Sequence, residues 1–437
     1  MRMFTKEPAA RVPGEQSLLA GIGIGAVGIG MFVPFSLVFF HHVTGLSFPA
    51  VGLVMTATGL TGLLFMPLAG TAVDRFGAKR VNVVLHGVRA AGFALYPFAD
   101  STASFAAVAL TTALADRSFG AVQQSLIGEV ARGAARDRLQ ASTRALQNAG
   151  MGAGALLVSA VLALWGTGGF TYTAWGNALA SALAGTLVSR VRPVRDAGGA
   201  GGVGAAGGAG SPATRSPAGY RRVLRDRPFL GLTAANFLTA LGYSALPVLF
   251  PLYLATWLAA PEALTGAAFT LNTALCAGVG VLIAGRVRRS GARRTRSAAL
   301  GSLLFAAAFA GQIVLGTLRP GQSATLIALL AVVVVYTVGE LVHSPSGGAL
   351  SVAAAPEAVR GRYLATYQLS YSLAGASAPS LFTALLAVDG RLPWAVLTVA
   401  ALGAALALVR LERRLPPEAV HTAAPTAVPA RATPVAA

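Results

Sequence analysis

Three ionisable side chains stand inside sequence that is otherwise apolar. Glu340 lies within the stretch 324–342, with Tyr336 four residues before it and His343 three after, so all three share one helix face. A carboxyl carried into a bilayer is costly, and such a group can take a proton from one side and release it to the other. It can equally be a structural hydrogen-bond partner of His343 or of a neighbouring helix, and the sequence leaves both readings open. Asp116 and Arg117 are adjacent, and neighbours on a helix point about 100° apart. Their side chains therefore diverge, which makes them either a proton-coupling pair or partners of side chains on other helices.

Other polar residues cluster by helical spacing. His86 and Arg89 are three apart; Gln123 and Gln124 follow Asp116; Arg144, Gln147 and Asn148 form a stripe; Tyr367, Gln368 and Tyr371 form another. Arg89 and Arg144 fall near a membrane face, where long basic side chains snorkel to the headgroups. His41 and His42 end an apolar run and read as interfacial residues, since two adjacent histidines without partners make no metal site. No metal or other cofactor is expected.

The elements that position these residues follow from composition. The chain has 437 residues, 55% of them hydrophobic and 11% charged, against about 25% charged in soluble domains. The fold class expected is an all-α polytopic membrane protein with spans of about twenty apolar residues each. Spans are predicted at 17–41, 49–72, 81–98, 103–128, 141–164 and 169–190, then at 229–257, 263–286, 296–317, 323–346, 362–388 and 392–411. The expected units are a cytoplasmic N-terminus at 1–16, a six-helix bundle at 17–190, a flexible linker at 191–228, a second bundle at 229–411 and a disordered cytoplasmic tail at 412–437. The linker is rich in Gly, Ala, Ser and Pro, too poor in apolar bulk to fold. The first apolar run is too long for a signal-peptide core and reads as an uncleaved span.

The net charge of +19 invites a nucleic-acid reading, but the basic residues lie between spans or at the termini, and no soluble basic domain exists to bind nucleic acid. Alternate loops hold most of them: Arg75, Lys79 and Arg80; Arg132, Arg136 and Arg138; the linker arginines; Arg286 to Arg296; Arg360 and Arg362. The other loops hold only Arg319 and Arg391. The positive-inside rule then places both termini in the cytoplasm of a multi-pass plasma-membrane protein. Cys276 is the single cysteine, which excludes an intrachain disulfide. No G-K-[ST] phosphate loop is present, so direct ATP drive is not expected.

The segment Gly70 to Arg80 reads G-T-A-V-D-R-F-G-A-K-R. Gly77 suits a tight turn at positive φ, and Gly70 allows close helix packing. Asp74 is expected to pair with Arg75 or to cap a helix N-terminus. This pattern, in Gly70, Asp74, Arg75, Gly77, Lys79 and Arg80, resembles the loop between helices 2 and 3 of the major facilitator superfamily of secondary transporters. The second half repeats it as A-G-R-V-R-R-S-G-A-R-R: aligning Gly291 with Gly77 sets Arg293 and Arg294 on Lys79 and Arg80, and Arg288 where Asp74 stood, so the acid is lost. Arg117 with Gly120 resembles a second family pattern, whose Arg is implicated in proton transfer. Gly150 and Gly154 resemble a third, with Ala155 in place of its proline, which weakens the case for antiport. The region from Gly339 through Pro345 to Tyr363 is similar to that of twelve-helix drug/proton antiporters.

The resemblance implies two six-helix bundles around a cavity that opens alternately to each side. It implies a transporter rather than an enzyme, driven by the proton gradient, with a small apolar or amphipathic substrate moved outward, as in drug resistance; uptake or facilitated diffusion of a metabolite, a sensor, or a membrane-embedded enzyme are the alternatives. Its partners would be the lipid bilayer, the substrate and protons, and a monomer is expected. Asp116, Arg117 and Glu340 would couple protons or compensate charge. Gly70, Asp74, Arg75, Gly77, Lys79, Arg80, Glu129 and Gly361 would form a conformational latch between the first loop and the start of helix 11. Asn236, Tyr243, Asn272, Tyr336, His343, Tyr367 and Tyr371 would line the cavity.

Overall fold

In a bilayer every backbone N–H and C=O must be paired within the protein, so apolar runs of this length fold as helices. The computed structural model describes residues 14–131, 133–191, 218–258, 263–289, 291–318 and 320–421, and no strand occurs among them. The N-terminal stretch, most of the predicted linker, Arg132, Arg319 and the end of the tail lie outside the described residues.

The helices are α1 (Glu15–Thr44), α2 (Phe48–Phe76), α3 (Ala78–Leu95), α4 (Thr102–Val130), α5 (Gly133–Trp165) and α6 (Gly169–Ser189). After them come α7 (Arg227–Thr256), α8 (Ala263–Arg289), α9 (Arg294–Leu318), α10 (Gln322–Ala354), α11 (Arg360–Val388) and α12 (Leu392–Leu411). Nine stretches among the described residues are long and apolar enough to cross a membrane, one of which, Arg138–Ser189, contains most of α5 and all of α6. The layout is consistent with twelve spans.

The packing repeats after six helices. In the first half α1 packs on α5 and α6, α3 on α4 and α6, and α2 on α4; in the second, α7 packs on α11 and α12, α9 on α10 and α12, and α8 on α10. The first helix of each half is broken at the same register: α1 by a 3-10 turn at Val33–Phe35 around Pro34, and α7 by a π turn at Ala245–Leu249 around Pro247. Proline lacks the N–H that the regular ladder needs, so the turn must re-form around it. Glycine sets the closest approach: Gly150 and Gly154 face the α1 backbone at Gly23 and Val27, where any Cβ would collide.

The halves meet along two seams, α2 with α11 and α5 with α8. On the first seam Gly52 meets Pro379 and Thr383, the Ser380 N–H donates to Thr56 Oγ1 at 3.1 Å, and Gly59 meets Ala376. Further along the same helix faces, Met66 and Gly70 on α2 and Leu369 and Leu373 on α11 are exposed. On the second seam Gly266 meets Ala155 and Ser159, and Gly152 meets Thr273, whereas Asn148, Arg144 and Ala277 beyond them are exposed. Both seams therefore close at one end of the bundle and open toward the end that carries the arginine-rich loops.

Two expectations about connecting segments change. The linker ends in a helix, Ala218–Arg225, with Val223 buried beside Phe229. The tail is ordered through its first ten residues: a helical turn, Pro417–Val420, buries Ala419 and Val420 against α10. Glu412 explains it. Its carboxylate accepts from Arg293, from Thr295 Oγ1 at 2.9 Å and from Arg296 Nε at 3.2 Å, while Arg294 Nη1 donates to the Glu418 and Ala419 carbonyls. An acid from the tail thus pairs with the arginines of the second loop copy.

Candidate functional site

In the second half, α7, α8, α10 and α11 bring all seven predicted cavity residues and Glu340 into one cluster. Asn272 Nδ2 donates to Glu340 Oε2 at 3.0 Å and to Thr337 Oγ1 at 3.0 Å. Tyr243 OH is 3.1 Å from His343 Nδ1. The rings of Tyr243 and Tyr371 lie 5.9 Å apart, and those of Tyr367 and Tyr371 6.0 Å apart. Glu340 has no basic partner among the described residues; its hydrogen bond comes from a neutral amide.

Burial divides this cluster. Tyr243, Asn272, Glu340 and Tyr371 are partly accessible, whereas Asn236, Tyr336, His343 and Tyr367 are buried. Tyr367 OH donates to Asn236 Oδ1 at 2.7 Å, Asn236 Nδ2 donates to Ser370 Oγ at 2.7 Å, and Tyr336 OH donates to the carbonyls of Gly242 and Tyr243. These four were expected on the cavity wall and instead stand behind it, because their polar atoms are used to pin helix to helix. His343 is the partner of Tyr243 rather than of Glu340.

In the first half Asp116 pairs with Arg89: Nε and Oδ1 are 2.9 Å apart, across α3 and α4. Arg89 is only 4% exposed. The expected snorkelling does not occur, because Asp116 and the face of Phe119, 5.2 Å from Arg89 Cζ, draw the guanidinium inward. Arg144 is exposed where the second seam opens. Arg117 makes neither an ion pair nor a hydrogen bond among the described residues and lies against Gly59 and Gly62 of α2, with Gly375 of α11 beyond, at the innermost point of the first seam.

The latch residues are only partly assembled. Gly77 adopts φ 82°, as predicted, and its turn joins α2 directly to α3. Glu129 Oε1 accepts the Ala78 N–H at 2.8 Å, so the acid at the end of α4 caps α3. Asp74 neither caps a helix nor pairs with Arg75; α2 continues to Phe76, which leaves Asp74 exposed in a last turn whose dipole disfavours an acid. Gly70 has open space where a Cβ would stand, since the seam has already parted there. Lys79 and Arg80 begin α3, and Gly361 lies at the start of α11 near Tyr363, whose OH donates to Asp226 Oδ2 at 3.1 Å. Asp226 in turn caps α7 at Phe229 N, a link that spacing alone could not disclose.

Comparison with known proteins agrees with this architecture. The family profile described as Major Facilitator Superfamily matches residues 18–309 and 232–436. The chain is 28% identical over 359 residues to "Multidrug resistance protein MdtH" of Edwardsiella ictaluri, covering 80% of this chain and 81% of that protein, and 27% identical to the protein of the same name from Yersinia enterocolitica. Among solved structures, a bacterial homologue of the iron transporter ferroportin in an inward-facing state superposes with TM-score 0.70 at 16% identity, over 91% of this chain and 98% of that one. A D-xylose-proton symporter gives TM-score 0.68 at 17% identity, over 90% and 96%. These two share the fold. The chain is a multi-pass membrane transporter and belongs to the major facilitator superfamily.

Proposed function

We propose that this transporter exchanges protons for small apolar or amphipathic molecules and moves them outward across the cytoplasmic membrane, with both termini in the cytoplasm. The observation that carries the reading is Glu340, a carboxyl inside the bundle whose hydrogen bond comes from neutral Asn272 and which has no basic partner among the described residues. A carboxylate so placed needs either a proton or a cationic or donor-bearing ligand, and one site that takes either in turn couples the two flows. Tyr243 and Tyr371 supply aromatic faces at that site. The curated relatives carry multidrug resistance in their names, which favours export of drug-like molecules. The arginine-rich end, toward which both seams open, faces the cytoplasm by the positive-inside rule.

The test is ligand-linked proton release. Purified protein in weakly buffered detergent solution is titrated with amphipathic aromatic compounds of each charge type, ethidium among the cations, while a pH dye is followed. Binding by the wild type releases about one proton per molecule bound, and Glu340→Gln binds without release. Binding with no release by either protein would defeat the exchange reading.

A further inference from the structure

Arg117 is a cation whose acid is engaged elsewhere. Its guanidinium makes no ion pair or hydrogen bond among the described residues, and the carboxylate that acts on it through space, Asp116, is bound to Arg89 of α3. When all three are ionised, one positive charge is left over. Arg117 is partly accessible, and none of its nitrogens is among the buried atoms that lack a partner, so the guanidinium is open rather than sealed in. Glycine makes the room. A Cβ at Gly59 would stand 3.2 Å from Arg117 Nη2, and one at Gly62 would stand 3.0 Å from its Cγ. On α11, the Cβ position of Gly375 is 4.0 Å from Arg117 Nη1 and has no other neighbour within 4 Å. A charge at this depth is costly without a partner. A guanidinium presents its N–H donors as a planar fork that matches a carboxylate.

Gly375 lies one turn from Tyr371 on α11. Cβ positions four apart on a helix are about 6 Å from each other, so Arg117 Nη1 lies within about 10 Å of Tyr371 Cβ. Tyr371 belongs to the Glu340 cluster: its ring is 5.9 Å from that of Tyr243, and the Glu340 charge acts on both rings. Arg117 therefore stands about one aromatic molecule away from the acid, with Tyr371 on the way. We propose that this site takes amphoteric aromatic molecules, with a carboxylate at Arg117, a cationic amine at Glu340 and the rings against Tyr243 and Tyr371. The cationic end rests on the proton-exchange reading; the anionic end rests on Arg117 alone. Poles of opposite sign fix one orientation, because the reversed molecule would set like charges together at both ends. Arg117 belongs to the first half and Glu340 to the second, so the two ends of such a molecule bridge the halves. A cation without a carboxylate leaves Arg117 bare, and a free acid is therefore preferred to its ester.

Two dyes that differ by one methyl group test this. Rhodamine 110 carries a free carboxylate beside its cationic ring system, and rhodamine 123 is its methyl ester. Each is titrated into the purified full chain at pH 7, in detergent and a buffer free of carboxylate and phosphate, with fluorescence anisotropy as the readout and binding to empty micelles subtracted. The wild type should hold the acid at least about fivefold more tightly than the ester, a modest return for one charge-assisted pair. Equal or weaker binding of the acid would overturn the proposal without any variant. Arg117→Gln should bring the two affinities together, and a preference that survives the substitution would overturn it as well. Where Arg117→Gln fails to fold, Arg117→Met keeps the stem packed on Gly62 and is read in the same way. Proton release on binding the ester is followed in parallel. Release with no preference for the acid strikes the Arg117 subsite and leaves exchange through Glu340 standing. Preference without release strikes the exchange reading, and with it the cationic end of the site, while the carboxylate subsite at Arg117 remains.

Discussion

Arg89 and Asp116 bind each other across two helices, with the guanidinium buried and the carboxylate partly in the open. Removing one member of a fully buried pair costs roughly 3–5 kcal/mol; the exposure of Asp116 reduces that to about 1–2 kcal/mol for Arg89→Met. Adding Asp116→Leu should recover most of the loss, because no lone charge then remains. Thermal melting of the two single variants and the double variant checks this, and strict additivity would show that the residues are not coupled. Glu340 and Asp116 were legible in the sequence because an acid in an apolar run is conspicuous by itself. Their partners were not. Arg89 and Asn272 lie on other helices, and helical spacing says nothing about which faces meet across a bundle. The pinned residues Asn236 and Tyr367 show the same limit: type and depth placed them near the site, and only their hydrogen bonds place them behind it.

At the level of elements, the helices and the Gly77 turn could be read from apolar run length and from glycine, while helix ends and the tail could not. α2 outruns its predicted end because nothing before Gly77 breaks it, which strands Asp74. The tail looked disordered because Pro and Ala give it little apolar bulk, yet a single acid ties it down. At Glu412 burial alone would raise the carboxyl, but hydrogen bonds from Arg296, Arg293 and Thr295 outweigh it and hold the group at about 2 against an ordinary 4.5. A depressed carboxyl stabilises the fold fully above its unfolded value and loses that contribution as pH falls through the folded one. The melting temperature of the wild type should therefore exceed that of Glu412→Gln near pH 7, and the gap should close as pH falls from about 5 toward 2. A gap that does not depend on pH would place the role of Glu412 elsewhere. Gly154→Leu should cost at least about 1–3 kcal/mol by forcing α1 from α5, read as a fall in melting temperature or in the yield of folded protein.

For the whole molecule, the sixfold shift in packing partners and the matched breaks at Pro34 and Pro247 make the two halves copies of one plan. The seams then act as a pair. α2 with α11 and α5 with α8 are equivalent under the repeat, so opening one end of both and closing the other is a single rocking motion. Thr56 and Ser380 sit across the closed part of the first seam. In a Cys276→Ala background, oxidising Thr56→Cys with Ser380→Cys should stop transport, and reduction should restore it; undiminished transport by the oxidised protein would mean that this seam need not part. The most direct measurement of the central claim is lumenal pH in inside-out vesicles under an imposed proton gradient, with amphipathic compounds added to wild type and Glu340→Gln at matched expression. Proton exchange through Glu340 predicts that a transported compound makes the wild-type lumen more alkaline and leaves the variant unchanged. Compound uptake by the wild type with no change in lumenal pH, or an identical pH response in Glu340→Gln, would contradict it.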